Sequence, residues 1–194
     1  MSTAILQSNN PTDVSSVCST YSLTTLQFET LHTRSAAAKA TAYCPYSRFH
    51  VGASILTEDG AFIDGANVEN AAFPVGTCAE RVAFGKAITE GHKKFKAVGV
   101  ATDISPPASP CGMCRQLAIF LEMSSMRATL RCVALRYLVR ETDYGGFSIR
   151  EFCELQTPIF MFDKDGAFVV MRLEQLLPLS FGPEALPPPG LLPA

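Results

Sequence analysis

Three cysteines, one alone and two close together, set the tightest constraint on how this chain can fold. Cys78 lies in T-C-A-E-R, Thr77 to Arg81, and Cys111 and Cys114 follow in P-C-G-M-C, Pro110 to Cys114. A Cys-x-x-Cys turn that runs into a helix can aim both sulfurs at one ion. Cys78 opens a second helical segment, where unpaired N–H groups and the positive end of the helix dipole favour thiolate. Any fold that uses all three thiols must bring the two helix starts together around one zinc. Three protein ligands leave the fourth position of a tetrahedral zinc to water, as in a catalytic centre. Glu80 is then placed as the acid/base beside that water. Arg81 is placed to offset the negative charge of three thiolates by hydrogen bonding to sulfur. A structural site closed by a fourth cysteine, such as Cys44, is the alternative, and it leaves Glu80 and Arg81 without a task. Cys18, Cys44, Cys132 and Cys153 stand alone in the sequence and are expected to be buried structural thiols.

The segments between these motifs alternate in type. Thr24 to Ala42 has helical spacing of Leu26, Leu31 and an alanine cluster, and Cys44-Pro45 lies beyond its end. His50 to Leu56 and Ala61 to Val68 flank Thr57-Glu58-Asp59-Gly60, a hairpin signal. Thr77 to Glu90 reads as a helix ended by Gly91, and Phe95 to Thr102 as a strand. Ser105 to Pro110 is a Pro-rich loop, and Cys111 to Glu122 reads as a helix. Pro158 to Phe162 and Ala167 to Met171 frame the turn Asp163-Lys164-Asp165-Gly166, and Leu173 to Leu177 reads as a short helix. This order predicts an α/β fold, a three-layer α-β-α arrangement with a mixed sheet of about five strands. Residues 1–22 are polar and Ser/Thr-rich and are expected to be disordered, and 187–194 form a Pro-rich tail. Met123 to Gly146 interleaves Leu130, Val133 and Leu138 with Arg127, Arg131 and Arg136, which reads as a solvated amphipathic helix.

The 194 residues carry 16 Lys plus Arg against 18 Asp plus Glu, a formal charge of -2. That balance lacks the basic excess of a surface that tracks phosphates, so a polynucleotide partner is not expected. The longest apolar runs, such as Leu117 to Leu121, fall far short of the roughly 18 residues of a membrane span. The first twenty residues have neither a basic n-region nor an apolar h-region, so a cytoplasmic location is expected.

Cys78-Ala79-Glu80 followed by Pro110-Cys111-Gly112-Met113-Cys114 fits the signature of zinc nucleobase deaminases. The chain resembles, more narrowly, the cytidine deaminases of the all-cysteine, free-nucleoside type. The resemblance rests on A-Y-C-P-Y-S-R-F-H-V-G-A (Ala42 to Ala53), N-V-E-N-A-A-F-P-V-G-T-C-A-E-R (Asn67 to Arg81), S-P-C-G-M-C-R-Q (Ser109 to Gln116) and L-L-P-L-S-F-G-P-E (Leu176 to Glu184). It implies a deaminase domain over 23–186, one zinc per subunit on Cys78, Cys111 and Cys114, and hydrolytic deamination of cytidine and deoxycytidine in pyrimidine salvage. Glu80 would pass protons to N3 and to the departing ammonia. Asn67 and Glu69 would bind the ribose hydroxyls, the Ala79 backbone would meet the base edge, Phe49 would stack near the base, and Tyr46 would lie close to the sugar. Phe181 would reach a neighbouring subunit's site within a homotetramer. A deaminase of a cytosine-containing antibiotic such as blasticidin S shares the zinc motifs, and a silent zinc scaffold is a reading of another class. Asn67-Val68-Glu69-Asn70 and Phe181 favour the nucleoside enzyme, and Glu80 argues against the scaffold. The chain departs from the family between Gln116 and Arg150, where Leu117 to Ile149 form an insertion. Either Cys111 to Glu122 keeps its own helix and the extra residues bulge outward, or Arg150 to Leu155 is the part that continues the cysteine helix.

Overall fold

A strand buried on both sides must lie inside a layered fold, and Pro158–Phe162 is buried at every residue. Its side chains divide by parity: Ile159 and Met161 join one apolar cluster, Phe160 and Phe162 the other. In the computed structural model, which describes residues 4–115 and 152–178, this strand is β5 of a six-stranded sheet. The sheet comprises β1 (Leu6–Gln7), β2 (Val51–Thr57), β3 (Phe62–Ala66), β4 (Phe95–Thr102), β5 (Pro158–Phe162) and β6 (Ala167–Arg172). Its order is β1-β6-β5-β4-β2-β3. Only β4 and β5 pair in parallel; the other neighbours are antiparallel.

Helices cover both faces. On one side lie α1 (Pro11–Thr20) and α2 (Thr25–Ala38), which bury Val14, Val17, Phe28 and Leu31 against Phe160, Phe162 and Phe168. The Phe28 ring sits 5.1 Å from that of Phe168 and 5.6 Å from that of Phe160, aromatic contacts in tilted and edge-on geometry. A reciprocal capping box between Thr24 and Gln27 fixes where α2 begins. On the other side α3 (Ala79–Thr89) turns Ala79, Ala83, Phe84 and Ala87 to the sheet, with α4 (Gly112–Arg115) and α5 (Leu173–Leu176) beside it. Phe152 stacks on Phe84 at 5.8 Å, so the chain re-enters the α3 side of the core there.

Gly65 sets the distance between α3 and the sheet. A Cβ at that position would lie 2.5 Å from the Ala83 nitrogen and 2.6 Å from the Ala79 oxygen. The pairing of β2 with β4 shifts between Leu56 and Thr57, whose partners are Ala97 and Phe95, leaving Lys96 as the extra residue. That bulge reverses the side-chain parity, which is why Phe95 joins the cluster of Val98 and not that of Ala97.

The α/β class and three layers agree with the sequence reading, with two differences. The sheet has six strands because Leu6 and Gln7 pair with Phe168 and Ala167. The expected disordered lead of residues 1–22 is not what residues 4–22 form: α1 lies within them, capped by Asn10 and opened by Pro11, with Val14, Val17 and Cys18 buried. The insertion at 117–149, the tail at 187–194 and the far end of the helix expected from Cys111 to Glu122 lie outside the described residues. No described helix is long and apolar enough to cross a membrane.

Candidate metal centre and its cavity

The last residues of β3 lead directly into the site. Backbone hydrogen bonds tie Val68 to Thr77 in both directions, at 2.9 and 2.8 Å, while Tyr43 pairs with Asn67 and Glu69 on the other side. This short ladder brings the Asn67–Glu69 stretch and Cys78 to one edge. Cys78 is the N-cap of α3, and its side chain makes no capping hydrogen bond, so the sulfur is free to face outward. Cys111 immediately precedes α4, whose turn aims the Cys114 N–H at the Cys111 sulfur, 3.4 Å away.

The three sulfurs converge. Cys78 Sγ lies 3.8 Å from Cys111 Sγ, Cys111 Sγ lies 3.5 Å from Cys114 Sγ, and all three lie within 4.8 Å of one another. A tetrahedral zinc with Zn–S bonds of about 2.3 Å holds its sulfurs about 3.8 Å apart. The spacing and the all-thiol donor set therefore fit zinc, with one coordination position left over. Cys44 is buried and does not belong to this cluster, so among the described residues no fourth cysteine closes the site. Hydrogen bonds from Cys114 and then Cys78 draw the Cys111 thiol far below the usual thiol range. The bond with Cys111 correspondingly pushes Cys78 and Cys114 up. A bound dication displaces the remaining protons.

Glu80 projects from the first turn of α3 and is only 3% exposed. Burial pushes its carboxyl above the usual carboxylate range, offset in part by its own backbone N–H. Arg81 donates from Nη2 to the Gly76 carbonyl at 2.8 Å and reaches the Cys78 sulfur at 3.9 Å. Its buried Nε has no partner among the described residues.

A cavity of about 430 Å³ opens beside the thiols, lined by Phe49, Asn67, Glu69, Cys78, Ala79, Glu80, Arg81 and Cys111, with Val100 and Thr102 of β4 also on its wall. That volume suits a small organic ligand. Asn67 and Glu69 have a second task there that sequence reasoning missed. The Asn67 amide accepts from Val51 N–H and donates to the Phe49 carbonyl, both at 2.9 Å. The Glu69 carboxylate accepts from the Tyr46 and Ser47 N–H groups at 3.0 and 3.2 Å, and from the Ser47 hydroxyl. That hydroxyl is the main reason why the Glu69 carboxyl lies below the usual range. Tyr46 does not line the cavity: it is exposed, and its ring lies 6.5 Å from that of Phe73, which does. Phe181 lies outside the described residues. Phe73, 80% exposed at the rim, and Ser47 were not foreseen. Phe73 opens a single 3-10 turn, Phe73–Val75, too short to leave a periodic signal in the sequence, so only its size could have marked it.

Comparison with known proteins adds independent findings. Residues 26–129 match the family described as the cytidine and deoxycytidylate deaminase zinc-binding region. A cytidine deaminase of Sporosarcina psychrophila is 35% identical over 161 residues, spanning 83% of this chain and 96% of the relative. One of Halalkalibacterium halodurans is 50% identical over 80 residues, 41% of this chain and 61% of the relative. Among solved structures, the cytidine deaminase of Burkholderia pseudomallei superposes with a TM-score of 0.61 at 29% identity, covering 79% of this chain and 98% of its own.

Proposed function

The chain belongs to the cytidine deaminase family, and from that premise we propose how its own residues carry out the reaction. It is a hydrolase that converts cytidine and water to uridine and ammonia. Cys78, Cys111 and Cys114 would hold one zinc per subunit, which would supply a Lewis acid able to bring the ionisation of water close to neutral pH. Glu80 would take one proton from the attacking water as its oxygen bonds to C4 and deliver it to N3, then carry the remaining hydroxyl proton to the amino group, so that the C4–N bond breaks and ammonia leaves a C4 carbonyl. Its burial supports this role, because a carboxyl raised above its usual range holds a proton more readily and its charge is felt more strongly in a dry site.

The Ala79 N–H, at the first position of α3, has no intrahelical acceptor and is available to the base edge. Phe49 packs on the ring, and Asn67 and Glu69 meet the ribose hydroxyls while holding the backbone beneath them. A site built to pair hydroxyls rejects free cytosine strongly, because its polar groups would be left unpaired. Deoxycytidine is the second substrate, and the setting is pyrimidine salvage in the cytoplasm. The exposed apolar rim of Phe73, Val75 and Tyr46 supports assembly with further copies of the chain. In a homotetramer Phe181 of one copy would close the cavity of the next, and Tyr46 would be covered by the neighbour.

The observation that carries this reading is the three sulfurs at zinc spacing with a buried carboxyl two residues beyond a ligand, with Cys78, Cys111 and Glu80 lining one cavity. Purified protein carrying about one zinc per chain should convert cytidine to uridine with one ammonia released per turnover. Zinc-loaded protein that leaves cytidine intact would contradict the assignment.

A further inference from the structure

The chain that enters β2 carries Phe49 at the cavity, and its backbone is held from two directions. Glu69 takes the N–H groups of residues 46 and 47, and Asn67 bonds residues 49 and 51. His50, between them, points elsewhere. Its N–H and its Nδ1 both approach Asp103 Oδ2, at 3.3 and 2.9 Å. Asp103 follows the last residue of β4, and its neighbour Thr102 pairs with Val51. The carboxylate thus extends the β2–β4 ladder by one step, using a side chain where the backbone pairing has ended. Its other oxygen accepts from Lys39 Nζ at 3.0 Å, and the same ammonium lies 3.4 Å from the Thr102 carbonyl. Lys39 follows α2, so one carboxylate joins the end of a helix, the end of β4 and the start of β2. Asp103 itself does not line the cavity.

We propose that Asp103, acting through His50, is a positioning residue that holds Phe49 in register with the substrate base. The inference rests on the deaminase reading and on Phe49 as the base contact. Without this carboxylate, His50 loses both of its anchors, while the zinc thiols and Glu80, which make no bond to Asp103, keep theirs. The effect therefore falls on substrate binding and spares the chemical step.

The test compares the wild type with Asp103→Ala, Asp103→Asn, Phe49→Ala and the Asp103→Ala/Phe49→Ala double variant. Each is assayed for cytidine turnover, bound zinc and thermal midpoint. Asp103→Ala should raise KM for cytidine about five- to tenfold with kcat and zinc within about twofold of the wild type, the pattern of lost uniform binding. Asp103→Asn, which keeps the shape but not the full acceptor set, should fall between the two. The double variant should match Phe49→Ala alone, because the two residues act on one contact. An Asp103→Ala enzyme with unchanged KM, or effects that multiply in the double variant, would overturn the proposal. So would a loss of zinc or a parallel fall in kcat in the stably folded Asp103→Asn protein, since the role would then be structural. An unchanged KM in Phe49→Ala would remove the base contact and this role with it. Absence of turnover in the zinc-loaded wild type would instead defeat the deaminase reading itself, so the two failures are distinguishable.

Discussion

Arg81 occupies the position from which a thiolate-rich centre is most easily tuned, since one guanidinium arm reaches the Cys78 sulfur and a backbone carbonyl while its Nε stays buried. Partners of this kind set ligand orientation and offset charge, and their removal costs about 10- to 100-fold in metal affinity. Arg81→Ala should therefore lose zinc to a competing chelator at correspondingly lower concentration; an unchanged competition curve would show that the arginine serves packing alone. The thiols, Glu80 and Arg81 were legible in the sequence because their chemistry is fixed by covalent spacing on two helix starts. The loop before β2 was not. Arg48 adopts a left-handed backbone with φ of 55°, a conformation with no glycine or asparagine to announce it. Phe49 lines the cavity, but Tyr46 stands outside it and Ser47 takes a place on its wall, in a loop held by the distant side chains Glu69 and Asn67.

Secondary-structure elements carry the site only as well as they pack, and α3 is the element on which Cys78, Glu80 and Arg81 depend. At Gly65 an added methyl would strike helix backbone, which cannot turn aside as a flexible side chain can. Gly65→Ala should cost about 1–3 kcal/mol of stability and should also reduce bound zinc, because α3 must move. Gly60, at φ of 89° with nothing within 4 Å, provides the contrast. Alanine there should cost only about 1–2 kcal/mol in backbone strain and leave zinc intact. Denaturant titration with metal analysis of both variants checks the pair, and zinc retained by Gly65→Ala would contradict the dependence on α3. The hairpin was readable from its Asp-Gly turn, but the bulge at Lys96 was not, since a single extra residue has no signature until its partner strand is known.

At the scale of the whole molecule, the N-terminal segment is part of the core. The few apolar residues of α1, Val14, Val17 and Cys18, lie among serines and threonines that favour helices weakly. Tertiary contact with the phenylalanine cluster, and not local propensity, makes α1. Removing residues 1–22 should destabilise the protein by about 3 kcal/mol or more, since two buried valines alone contribute about that much. A truncated protein that denatures like the full chain would contradict this. For assembly, the wild type should sediment as a tetramer and Phe73→Asp as smaller species with weakened activity; a tetramer in both would place the interface elsewhere. The central claim is that a buried carboxyl on α3 moves the protons of the reaction while three thiols hold the zinc. Glu80→Gln tests it most directly, with cytidine turnover and bound zinc measured on the same preparation. The prediction is full zinc content with kcat lowered about 10²- to 10⁴-fold. Turnover within a few-fold of the wild type, at full zinc content, would contradict it.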